Sequence, residues 1–142
     1  MIVLDTTILV YAVGEDHPLR SPCRRLLAAH ANGEVDITTT VEVVQEFAHV
    51  RARRRPRADA IEIARHFASA FNIMVTQPGD LALGLDLWST NEALGAFDSV
   101  LAAVALNRRA EAFVSADRAF ATVPQLPWID PATPDFERLF RT

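Results

Sequence analysis

Short apolar runs that stop at an acidic or hydroxyl residue and lead straight into helical periodicity recur along this chain. They constrain its fold more than any other feature. Ile2–Leu4 is followed by Asp5 and a helical stretch from Thr6 to Val13; VDITTT (35–40) leads into a longer helix over Thr40–Arg54; EAFVSAD (111–117) ends at Asp117 before the short helical turn RAFATV. NIMVT (72–76) and LPWI (126–129) read as two further short strands. Apolar spacing between these runs predicts helices over 17–33, 57–71, 78–94 and 97–109. Strands that are apolar on both faces and separated by helices pair in parallel, because each crossover lays a helix on the sheet. The expected architecture is α/β, a parallel sheet of about five strands with helices on both faces, in one domain spanning 1–142.

Composition narrows the chemistry. Half the residues are apolar, yet no stretch approaches the roughly 20 apolar residues of a membrane span. The first apolar run has no basic segment before it and contains Asp5, which argues against a signal peptide. Cys23 is the only cysteine, so neither an internal disulfide nor a thiolate metal cluster can form, and a cytoplasmic setting is expected. All 14 basic residues are arginines, which excludes a lysine-dependent P-loop, Schiff-base chemistry and any phosphotransfer built on lysine. Against them stand 18 acids, for a net charge of −4.

In open α/β sheets the site lies beyond the carboxyl ends of the strands. Asp5 and Asp117 follow strands, Asp98 begins the alanine-rich helix, and Glu46 lies in the first half of the helix after DITTT. Each aspartate could merely cap the helix that follows it. TTVE (39–42) has capping-box spacing, with Thr39 as N-cap and Glu42 reaching back to it, which gives Glu42 a structural role. Glu46 has none, and a carboxylate among Val43, Val44, Phe47 and Val50 needs a partner. Four acids gathered at one sheet edge raise one another's pKa and call for a divalent cation. Oxygen-only ligands suit Mg²⁺ or Mn²⁺, and the chemistry that follows is phosphodiester hydrolysis.

IVLDTTILVYA, TTTVEVVQEF, FDSVLAAVAL and FVSADRAF, in that order and spacing, resemble the PIN domain, and more closely the VapC-type ribonuclease toxins of bacterial toxin–antitoxin pairs. The resemblance spans essentially the whole chain. It implies a PIN-like three-layer sandwich and carries four acidic site positions onto Asp5, Glu46, Asp98 and Asp117. Its hydroxyl positions fall on Thr6, expected to steady Asp5 or its water, and on Ser115 before the last acid. It further implies Mg²⁺- or Mn²⁺-dependent endoribonuclease activity, a homodimer, and a small VapB-like antitoxin that closes the site. An acidic pocket of this kind is suited to closure by a basic side chain from that inhibitor.

RARRRPR (51–57) offers Arg51, Arg53, Arg54 and Arg55 as candidate contacts to the RNA backbone, with a solvated helix end as the plain alternative. Three competing readings remain. The chain could be a catalytically inactive PIN-like module that binds RNA or protein, although all four acidic positions are filled. It could be an aspartyl phosphatase using Asp5, but the acid usually found two residues on is Thr7 and the usual lysine is absent. EFAH (46–49) has the E-x-x-H form of di-iron bundles, but no second copy exists.

Overall fold

The computed structural model describes residues 1–141; Thr142, the last residue of the domain span read from the sequence, lies outside them. In chain order the elements are β1 (Ile2–Leu4), α1 (Thr6–Val13), α2 (Arg20–Ala31), β2 (Ile37–Thr38), α3 (Val41–Ala52), α4 (Arg57–Ala70), α5 (Pro78–Thr90), α6 (Ala96–Asn107), β3 (Ala112–Val114) and β4 (Trp128–Ile129). Two 3-10 helices, Arg118–Thr122 and Pro134–Phe140, follow β3 and β4. The strands pair in parallel in the order β2-β1-β3-β4, so the direction of sheet growth reverses between β1 and β3. That reversal opens a crevice at the carboxyl ends of these two strands.

Every residue of β1, β2 and β3 is buried, which explains why β1 and β3 are apolar throughout; Thr38 of β2 is the one polar residue, and its hydroxyl donates to Asn72 O. Ile2, Val3, Leu4, Phe113 and Val114 form the centre of one continuous core with Ile8 and Leu9 of α1, Phe47 of α3, Phe67 of α4 and Ala102 and Ala105 of α6. Helix α6 can lie deep because its inner residues are small. Gly84 lets α5 approach it closely: a Cβ at that position would stand 2.7 Å from Val100 Cα.

The sheet has four strands where the sequence suggests about five. NIMVT contributes a single bridge, Thr40 to Met74, in which Met74 N–H donates to Thr39 O at 2.9 Å. Flanking carbonyls are taken by side chains: Thr38 Oγ1 donates to Asn72 O at 2.5 Å and Arg108 Nη2 to Val75 O at 2.9 Å. With β2 only two residues long, the segment has little edge left to extend along. The helix expected over 78–94 ends at Thr90, with Asn91 in an extended conformation.

Asp80 is the buried tie between the last two long helices. It is 1% exposed, closes a capping box with Gln77, and accepts from Asn107 (2.8 Å) and Arg108 (2.9 Å). Burial pushes its pKa up, but the hydrogen bonds from Arg108, Asn107 and the Gln77 amide and the Arg108 charge outweigh that, and the carboxyl lies below its ordinary value. Among the described residues no helix is long and apolar enough to cross a membrane.

Candidate active site

Leu4 pairs with Val114 in the sheet, so Asp5 and Ser115 emerge side by side from β1 and β3. Asp5 is 4% exposed and caps α1. Its Oδ2 accepts from Ser115 Oγ at 2.7 Å, Thr7 Oγ1 at 2.9 Å and Thr7 N–H at 3.4 Å, which leaves Oδ1 as the freer oxygen. Burial raises the Asp5 pKa, and the bonds from Ser115 and Thr7 pull against it.

The Thr6 side chain is turned to Glu46 and not to Asp5, on which Thr6 acts through its backbone amide. Its hydroxyl donates to Glu46 Oε2 at 2.8 Å and ties α1 to α3. The hydroxyls that steady Asp5 are those of Ser115 and Thr7, and Thr7 also accepts from the Ala116 amide at 3.1 Å. Helical direction explains the division. As the first residue of α1, Thr6 faces the neighbouring α3, whereas Thr7 turns toward the end of β3. Sequence reading passed over Thr7, although a hydroxyl two residues after an N-cap aspartate is a recognisable signal for a bond back to that cap.

Ser115 is fully buried and is held at three points. Its hydroxyl donates to Asp5 and accepts from the Asp117 amide at 3.0 Å, and its carbonyl accepts from the Trp128 indole at 3.0 Å. Asp117 is exposed and caps the following 3-10 helix through Ala119 N–H at 2.9 Å.

Asp98 occupies the third position of α6, not its cap, which is Gly95. No hydrogen bond offsets its burial. Burial first, then the charges of Asp5, Glu46 and Asp117, push its pKa up to about 7. The four acids singled out by the sequence therefore share one electrostatic neighbourhood, centred on Asp98. Glu46 is exposed and not among the apolar residues of its helix; Thr6 is its partner. The α3 cap is Thr40, which accepts from Val43 N–H at 3.3 Å, one residue later than the sequence suggested. Thr39 instead donates to Leu4 O at 2.7 Å, and Glu42 accepts from Thr76 at 3.1 Å, so no capping box forms there.

Among the described residues no three histidine, cysteine or acidic side chains stand together as a ready-made metal cage. The acids that act on one another around Asp98 offer only anionic oxygens. That set fits a hard divalent cation that keeps several of its waters, as Mg²⁺ does, and does not fit zinc, which wants nitrogen or sulfur in a closed shell.

Glu46 and Asp98 line a cleft of about 930 Å³ that continues past His49 and Thr76 to the apolar residues Leu81 and Phe97. The arginine cluster does not behave as one patch. Arg51 is withdrawn from it: Nε donates to Asp59 at 2.7 Å and Nη1 to Val13 O at 2.8 Å. Arg53, Arg54 and Arg55 are exposed.

A family model described as the PIN domain matches residues 2–126. Ribonuclease VapC7 of Mycobacterium tuberculosis is 48% identical over 142 residues, spanning 92% of this chain and 92% of that protein. Ribonuclease VapC23 of the same organism is 33% identical over 101 residues, covering 69% and 78%. The fold matches VapBC2 from Rickettsia felis bound to a promoter DNA fragment (TM-score 0.72, 20% identity, 92% of this chain and 98% of that one). It also matches Mycobacterium tuberculosis VapC20, a sarcin–ricin loop cleaving toxin (TM-score 0.71, 14% identity, 89% and 98%). The chain belongs to the PIN-domain family and, within it, to the VapC ribonucleases.

Proposed function

We propose that the chain, as one domain, is a divalent-metal-dependent endoribonuclease toxin held in check by a cognate antitoxin. The observation that carries this reading is Asp98: a half-buried carboxylate that accepts no hydrogen bond and faces the charges of three other acids. Such an arrangement is costly without a cation and inexpensive with one. Asp5, through its freer Oδ1, and Asp98 would hold Mg²⁺ or Mn²⁺, with Glu46 and Asp117 acting directly or through water. When bound, the cation supplies a Lewis acid at the phosphate and a water of lowered pKa. The chain's own contribution is positional. Ser115 and Thr7 fix Asp5, Thr6 fixes Glu46, and the polar end of the cleft, at Glu46, His49 and Asp98, admits the RNA strand.

The VapBC pairing of the fold relatives supports an antitoxin partner, which would place a basic side chain between Asp5 and Asp98. Homodimerisation is supported by a strip of large apolar side chains open to solvent, with Leu81, Leu85 and Trp88 about half exposed and Phe97 83% exposed. A cytoplasmic setting accords with the lone, buried Cys23.

The test is cleavage of total cellular RNA by the purified chain with Mg²⁺, with Mn²⁺ and with chelator, beside Asp98→Asn. Discrete fragments that require metal and vanish in the variant support the reading. No cleavage under any metal, by folded protein free of inhibitor, overturns it in favour of an inactive binding module.

A further inference from the structure

Glu46, His49 and Arg53 lie three and then four residues apart on α3 and its C-cap, so they form one stripe along a single helix face. Glu46 and His49 both line the cleft that holds Asp98. Arg53 Nη2 donates to His49 Nε2 at 3.2 Å, so its guanidinium sits beside a residue of the cleft wall without lining the cleft itself. An arginine can only donate, so the ring proton of His49 sits on Nδ1 and remains available to another acceptor. Among the described residues no carboxylate pairs with Arg53, whereas Arg25, Arg51, Arg108 and Arg138 are each tied to one. A guanidinium and an imidazole donor left together beside an acidic centre are suited to an oxyanion.

We propose that His49 and Arg53 form a phosphate-binding subsite that seats the RNA backbone next to the bond being cut. The assignment rests on the ribonuclease reading above and deepens it. His49, which holds the Arg53 guanidinium, lies three residues from Glu46, a rise of about 4.5 Å, so the pair seats a phosphate beside the acidic centre. Contact is to the backbone, so the subsite holds single-stranded RNA without regard to base identity.

The test is binding of a fluorescein-labelled, mixed-sequence, single-stranded RNA 20-mer to the purified chain in chelator, followed by anisotropy across a salt series. Arg53→Ala is expected to weaken binding severalfold and to lower the slope of log affinity against log salt by about 0.7, the value for one phosphate contact on a single strand. His49→Ala is expected to weaken binding with the slope retained, and Arg65→Ala, on α4, to match the wild type. Circular dichroism confirms that each variant is folded. An Arg53→Ala slope equal to wild type, or no salt-dependent RNA binding by the wild type, overturns the subsite; capture of an acidic protein segment by the same pair would appear as the first of these. The cleavage assay answers separately. Wild-type binding with the expected Arg53 slope but no metal-dependent cleavage defeats the nuclease and leaves the subsite standing.

Discussion

Thr6 donates its hydroxyl to Glu46 at 2.8 Å across 40 residues of chain, while the next residue, Thr7, serves Asp5. Two consecutive threonines thus orient two different acids, one from each side of the α1 N-terminus. A hydrogen bond to a charged acceptor is worth about 1.5–3 kcal/mol. Thr6→Val should therefore lower kcat by about 10-fold or more and also lower stability, and Thr6→Ser should restore most of both. Steady-state cleavage of a defined RNA would check this; equal activity in the valine variant would show that Glu46 needs no such support.

Asp98 gives the protein a pH signature in the absence of metal. Its carboxyl is raised from 3.8 to about 7 in the folded chain. A raised acid contributes stability that is fully present below the unfolded-state value and lost as pH climbs through the folded one. The metal-free protein should lose stability through this group between about pH 4 and 7, and Asp98→Asn should flatten that part of the curve. Urea titrations should differ by about 2 kcal/mol across the window, below the full 1.4 kcal/mol per unit because the group is partly solvated. Parallel curves for the two proteins would mean that neither burial nor the neighbouring charges raise the Asp98 carboxyl.

Arg51 and Arg53 stand two residues apart and should separate cleanly. Arg51 joins the end of α3 to Asp59 on α4 and to the end of α1. Arg51→Ala should lower the unfolding free energy, by loss of the Val13 carbonyl and Asp59 contacts, while leaving the salt slope of RNA binding unchanged. Chemical denaturation beside the anisotropy series would decide it, and a reduced slope would return Arg51 to the RNA surface.

The Asp80–Arg108 tie offers a mutation with no link to chemistry. Arg108→Ala leaves a carboxylate that is 1% exposed without its charged partner, a change expected to cost about 3 kcal/mol. Thermal unfolding should show a clear fall in Tm, whereas a change below about 0.5 kcal/mol would mean that water takes the place of the guanidinium.

The strand-ending acids were legible because a short β-branched run before a polar residue fixes both the strand and its carboxyl end. Asp5 and Asp117 could be placed from spacing alone, and Asp98 and Glu46 from their helices. What spacing could not supply was the partner of each side chain. Thr39 and Thr40 are equally good caps on paper; Thr40 does the capping because Thr39 is turned inward to the Leu4 carbonyl. Thr6 and Thr7 differ only by the 100° that separates consecutive helical residues, and which of them meets Asp5 depends on where β3 ends. NIMVT has the composition of a strand, but Thr38 and Arg108 occupy its carbonyls. In each case a contact distant in sequence decided between local options of similar energy.

The adjacency of β1 and β3 also sets when the enzyme can first exist. Asp5 is made 110 residues ahead of Ser115, which shares its carboxylate and follows the strand that closes the exposed side of β1. A nascent chain that has already delivered Asp5, Glu46 and Asp98 still has one bare edge on β1 and a first acid lacking its strongest hydrogen bond. The ribosome, itself built of RNA, therefore translates the 110 residues from Asp5 to Ser115 before the chain can assemble its site. The threshold is crossed only when the segment around β3 leaves the exit tunnel and docks.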